Sequence, residues 1–147
     1  AIMDLRESRH AMEEAVSDAV QSLAPNLSAL AGPILAARLV SRAGGLSRLA
    51  GMPSSRLQVM GAEKSLFKHL KGHAPSPKHG IIYRHPAVVG SPRRLRGRVA
   101  RSLAAKLAIA ARLDANGAGL SQDLQESLAA RLIQIRQNGA KRPEPRG

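Results

Sequence analysis

Cysteine and tryptophan are absent from the 147-residue chain, and tyrosine and phenylalanine occur once each. Without cysteine there can be no disulfide and no thiolate metal site, which fits a reducing compartment. The hydrophobic content is 44%, mostly Ala and Leu. Scarcity of β-branched and aromatic strand formers therefore points to helices rather than sheets. No run approaches the ~18 uninterrupted apolar residues of a membrane span. The acidic start, AIMDLRESRHAMEE, is no secretory signal. The expectation is one soluble, intracellular, all-α unit large enough to bury a core.

Acid is the next scarcity. Residues 25–112 hold sixteen Lys and Arg but a single carboxylate, Glu63, whereas residues 1–24 hold five acids against two basic residues. A body of net charge 16 − 1 = +15 repels itself unless it meets a polyanion, and nucleic acid is the commonest one inside a cell. An anionic membrane is the rival. Membrane-binding helices, however, set Trp, Phe or Leu opposite the basic face, and this chain is nearly devoid of aromatics.

Residues 4–24 read as an acidic amphipathic helix with Met12, Val16, Ala19, Val20 and Leu23 on one face. APNLSALAGPILAARLVSRAGG continues helically to Gly44-Gly45, with Pro33 kinking or restarting the helix. Short pieces follow, broken at Gly51 and Pro53. Ala62–Lys71 is expected to be a helix with Glu63 beside Leu66, Phe67 and Leu70, and with Lys64, Lys68 and Lys71 on a neighbouring stripe. KGHAPSPKHG is a loop carrying Lys78 and His79. IIYRHPAVVG is too short to choose between a buried strand and a turn of helix. Ser91-Pro92 then reads as the N-cap and first residue of a helix to about Leu113.

That helix gathers Leu95, Val99, Leu103, Ala110 and Leu113 on one side and Arg94, Arg98, Arg101 and Arg112 on another, flanked by Arg93 and Arg96. A solvated face normally interleaves acids at i,i+4, and none occurs before Asp114. NGAG at 116–119 is a break, a last helix is expected over Gln122–Arg136, and the basic end of the chain reads as disordered.

Catalysis finds little support. Acid–base chemistry wants two placed carboxylates, or one with a histidine and a nucleophile, and the basic body has one. His69 and His73 stand four apart, but Gly72 separates them and no H-E-x-x-H occurs. No phosphate-binding glycine motif is present. No catalytic residue, metal or cofactor is assigned.

The blocks APNLSAL (24–30), AARLVSRAGGLSRLA (36–50), GAEKSLFKHL (61–70), SPKHGIIYRH (76–85) and RGRVARSLAAKLAIAARLDA (96–115) together resemble the Nop domain, in that family's order. Each block is weak alone; five in order are specific. The family includes scaffold proteins of box C/D RNA-guided 2′-O-methylation particles, archaeal ones among them, and a related spliceosomal factor. The intact Gly-Ala-Glu-Lys favours the methylation branch. The sequence departs at Pro33, at His79 in place of the usual Tyr, and at Ser65 in place of Ala.

The resemblance implies a compact helical domain over 25–137, preceded at 1–24 by the end of a coiled-coil helix and followed at 138–147 by a disordered basic tail. It implies recognition of a guide RNA kink-turn together with a small, ribosomal-type kink-turn-binding protein. The methyltransferase fibrillarin would dock on regions absent here, and a coiled coil mostly absent here would allow homodimerisation, so the chain reads as a fragment. No membrane partner is implied. Location would be cytoplasmic for an archaeal protein, which the Ala- and Arg-rich composition suggests, and nucleolar or nuclear for a eukaryotic one. The alternatives are a spliceosomal-type assembly factor, a generic basic nucleic-acid binder, or a basic surface that docks on an acidic protein.

RNA phosphate contacts are expected from Lys64, Lys68, Lys78, Arg93, Arg94, Arg96, Arg98 and Arg101. Glu63 and Lys106 both project into apolar stripes, so they are expected either to form a salt bridge between helices or, for Glu63, to lie at the RNA.

Overall fold

The computed structural model describes residues 5–62, 71–72 and 80–141. Among these, every regular element is helical and no strand occurs, as composition predicts. The elements are α1 (Leu5–Leu23), α2 (Pro25–Ala31), α3 (Pro33–Ala43), α4 (Leu46–Ala50), α5 (Ser54–Gln58), a 3₁₀ turn η1 (Gly80–Arg84), α6 (Pro86–Val89), α7 (Arg93–Ala115) and α8 (Gln122–Lys141). The expected helix over 62–71 lies almost wholly outside the described residues.

Helix α7 is the axis of the domain. It packs against α2, α4, α5, α6 and α8, which its sequence permits because Ala100, Ala104, Ala108 and Ala111 put small side chains on the faces those helices approach. Leu95, Val99, Leu103 and Leu107 fill the spaces between and are buried. Close-packed interiors demand this alternation of small and large residues.

Gly32 and Pro33 split the first long helical stretch into α2 and α3. Pro33 occupies the first turn of α3, where its missing N–H costs nothing. IIYRHPAVVG resolves as η1 and α6, with Ile82 and Val88 fully buried.

Two boundaries differ from expectation. The N-cap of α7 is Pro92, without a side-chain cap. Ser91 instead points back into the preceding turn, donating its hydroxyl to the Ala87 carbonyl at 2.6 Å. Helix α8 runs five residues further, to Lys141, because Leu124, Leu128 and Ile135 seat it on the core and Gly139 lies directly against the Leu95 side chain.

Candidate nucleic-acid interface

Helix α7 buries one broad side in the core, and this fixes where its cations go. Arg93, Arg94, Arg101 and Arg112 are exposed and Arg98 is half-buried. From Arg94 to Arg112 the row extends ~27 Å at 1.5 Å per residue. Among the described residues none of these arginines meets a carboxylate; the ion pair found there is His10–Glu14, 3.0 Å apart on α1. The first turn of α7 contains no acid. Arg93 and Arg94 therefore face the positive end of the helix dipole uncompensated, a placement that disfavours the free fold and suits an incoming anion. Lys64, Lys68, Lys78 and Glu63 lie outside the described residues.

Arg96, also expected at phosphate, has its guanidinium bonded to neutral groups of the domain, which leaves its charge intact. Its Nε donates to the Ser91 carbonyl at 2.9 Å and its Nη2 to the Val89 carbonyl at 3.0 Å. Nη1 donates to the Tyr83 hydroxyl, and the Arg96 guanidinium carbon stands 5.5 Å from the Tyr83 ring centroid. Helical projection puts Arg96 toward the core side of α7, and at the helix start that side meets η1 and α6 rather than solvent. Its planar fork suits several carbonyls at once.

Lys106 is corrected. It does not enter the middle of the apolar stripe. It sits at the rim between α7 and α8, and its Nζ donates to Ser127 Oγ at 2.7 Å. The buried sector of α7 is broader than the stripe drawn from five residues, taking in Ala100, Ala104, Leu107, Ala108 and Ala111. Its centre shifts accordingly, leaving Lys106 at the edge. The expected bridge to Glu63 falls on a residue outside the described ones.

A buried polar network supplies what sequence reasoning missed. Asp114, near the end of α7, accepts from the Asn26 backbone N–H at 3.0 Å and the Asn26 side-chain amide at 2.9 Å on Oδ1, and from the Leu27 N–H at 2.8 Å on Oδ2. Asn26 also donates to the Gly119 carbonyl at 2.7 Å and accepts from the Ser121 N–H at 2.6 Å. Helix α2 has no side-chain cap of its own, so Asp114 caps it from another helix. The signal was present: a carboxylate at a helix C-terminus opposes the dipole, unless a neighbouring helix N-terminus receives it.

His85 plays a comparable part. Its Nδ1 accepts from the Ala87 N–H at 3.0 Å, capping α6, while Nε2 meets the Leu30 carbonyl at 2.8 Å. The second bond assigns the Nε2–H tautomer.

Two glycines close the neck of the segment that carries Lys64, Lys68 and Lys78. The Ile81 N–H donates to the Met60 carbonyl at 2.7 Å. A Cβ on Gly80 would fall 2.4 Å from that carbonyl oxygen, and one on Gly61 would fall 2.2 Å from Ile81 Cγ2; both have positive φ, +58° and +88°. The glycines of GAEK and PKHG thus owe their identity to close contact at this neck, Gly61 with the Ile81 side chain and Gly80 with backbone carbonyls. Gly80→Ala is expected to cost roughly 2 kcal/mol or more, adding a left-handed backbone to a clash that carbonyls cannot relieve. A melting temperature unchanged from wild type would show that the neck opens freely.

No group of three or more His, Asp or Glu that could hold a metal occurs among the described residues. No helix of the described residues is long and apolar enough to cross a membrane. Tyr83, the single aromatic described, is half-buried with Arg96 over its ring and offers no open stacking platform. An all-helical domain with an acid-free arginine face on its central helix defines a polyanion-binding module.

The chain belongs to the Nop family, whose model, described as a snoRNA-binding domain, fibrillarin, matches residues 1–135. An uncharacterised NOP5 family protein of Methanocaldococcus jannaschii is 48% identical over 144 residues, which is 98% of this chain and 34% of that protein. Nucleolar protein 58 of Mycosarcoma maydis is 42% identical over 115 residues, 78% of this chain and 20% of that protein. A chain of the solved fibrillarin/Nop5p complex matches with a TM-score of 0.74 and 38% identity, covering 89% of this chain and 49% of that one. The chain thus spans about a third or less of the length of these curated relatives. The matched family is a binding domain rather than an enzyme family.

Proposed function

We propose that this chain is the RNA-binding scaffold domain of a box C/D-type methylation guide particle. In this reading it recognises a kink-turn RNA together with a small kink-turn-binding protein. The observation that carries the proposal is the exposed arginine row of α7, which no carboxylate among the described residues neutralises and which is held on a rigid core. Such a surface binds phosphates without reading bases. With no stacking platform among the described residues, discrimination falls to RNA shape and to a second protein surface.

Methylation itself belongs to a partner of the fibrillarin type. The match to a chain of the fibrillarin/Nop5p complex supports that assignment, with docking through regions outside this chain. Leu5, Met12 and Val16 on α1 remain exposed at 85%, 69% and 40%, which supports α1 as a segment that packs on further protein, including a second copy. Relatives named nucleolar proteins favour the methylation branch over a spliceosomal factor.

A gel-shift titration of kink-turn RNA, with and without the kink-turn-binding protein, tests the reading. The expected result is weak binding by the domain alone and a gain of at least about tenfold when the protein is present, the size of an ordinary coupling free energy. Equal affinity in both series points to a generic basic binder. No RNA binding in either points to an acidic protein as the partner.

A further inference from the structure

A second cationic surface lies beside the arginine row, between α7 and α8. The groove has a volume of about 590 Å³ and is lined by Arg101, Ser102 and Lys106 from α7 and Ser127, Arg131 and Gln134 from α8, with Ala105 and Ala130 between them. No carboxylate of the described residues lines it, although α8 carries two, Asp123 and Glu126.

The partners of its cations are neutral. Lys106 donates to the Ser127 hydroxyl at 2.7 Å, and Arg131 donates through Nη1 to Gln134 Oε1 at 2.9 Å. These bonds hold the charged heads in place and leave the charge intact. Two ammonium hydrogens remain on Lys106 and four N–H groups on Arg131 for a ligand. A purely structural pairing of two helices would set an acid opposite each cation. Heads already oriented but not neutralised lose less side-chain entropy when an anion arrives.

We infer that this groove is a second phosphate-binding track, taking the sugar–phosphate backbone of the same nucleic acid on the α8 side of Arg101. The inference rests on the RNA-binding reading proposed above and extends it from one helix to two. A nucleic-acid backbone fits better than an acidic peptide for two reasons. The groove lining holds no apolar side chain larger than its two alanines, so it offers little to grip the apolar anchor that peptide docking ordinarily needs. Arg101 belongs to both the groove and the exposed row, so the positive surface is continuous from one to the other.

The test uses the whole chain and a stem–loop RNA bearing a kink-turn, titrated over a salt series. Lys106→Gln with Arg131→Gln is expected to lower affinity about tenfold and to flatten the log–log salt slope by about 1.8, two contacts at roughly 0.9 each. Ser127→Ala removes the hydrogen bond but no charge and is expected to leave the slope unchanged. Should the double variant fail to fold, Arg131→Gln alone is expected to flatten the slope by about 0.9. Unaltered affinity and slope in these charge variants overturn the groove. If Arg98→Glu weakens binding in that case, the RNA-binding reading survives without it. If Arg98→Glu also has no effect, both fail together.

Discussion

Replacing Asp114 with alanine is expected to lower the stability of the domain by roughly 3–5 kcal/mol. The carboxylate is 8% exposed and accepts three hydrogen bonds. Bonds to a charged acceptor contribute about 1.5–3 kcal/mol each, and donors left buried without an acceptor cost about 1–3 kcal/mol. The changes are not additive, because all three donors sit on Asn26 and Leu27 at one helix start. Against a total stability of ~5–15 kcal/mol, the loss removes a large share of the folded state. It should appear as a fall of at least about 10 °C in the melting temperature. Asp114→Asn keeps the shape and one acceptor oxygen, and is expected to fall between wild type and alanine. A loss below ~1 kcal/mol in the alanine variant would mean that water replaces the carboxylate, and that α2 is not capped from α7.

Reversing Arg98 and Arg101 to glutamate should have opposite effects on binding and on folding. Two phosphate contacts are lost and two repulsions added, so affinity for RNA is expected to fall about a hundredfold, with a salt slope flatter by about 1.8. The loss should be similar across stem sequences, because phosphate contacts carry no base identity. Stability of the free domain should not fall with it. Arg94, Arg98 and Arg101 lie at i,i+4 and i,i+3 spacing with no acid among them, and the carboxylate introduced by Arg98→Glu would face Arg94 one turn away. That single exchange of repulsion for attraction contributes about 0.2–0.5 kcal/mol, while positions 98 and 101 stay like-charged as before. A thermal melt at or above the wild-type value, beside a binding isotherm shifted by two orders of magnitude, is the expected pair of results. Loss of both would make the arginines structural; loss of neither would leave RNA binding to other surfaces.

Much of the domain was legible before its structure. The all-helical class followed from missing strand formers, and the breaks at Pro33, Gly51 and Pro53 from residues that cannot continue a helix. The outward face of α7 was legible at Arg94, Arg98 and Arg101 because a 3.6-residue period places side chains wherever the helix itself is long. Arg96 marks the limit of the same method. Periodicity gives the direction of a side chain from its own axis, but not what stands in that direction, and η1, α6 and the turn after α6 stand there with one acceptor each. Lys106 failed for a related reason: five apolar residues underestimated a buried sector that alanines extend.

What the sequence by itself determined about this protein is its class, its charge and the order of its helices. All three depend on composition and on interactions within a few residues. Membership of the Nop family also lay in the order of the five blocks. Only the tertiary structure decided which polar residues hold those helices together. Asn26 meets Asp114 across 88 positions of chain, Gly80 fits against the carbonyls of residues 58–60, and Lys106 turns to Ser127 on the next helix. Each is a contact between segments whose meeting is set by packing around α7. A hydrogen bond of fixed length and direction exists only once that packing has brought its two ends together.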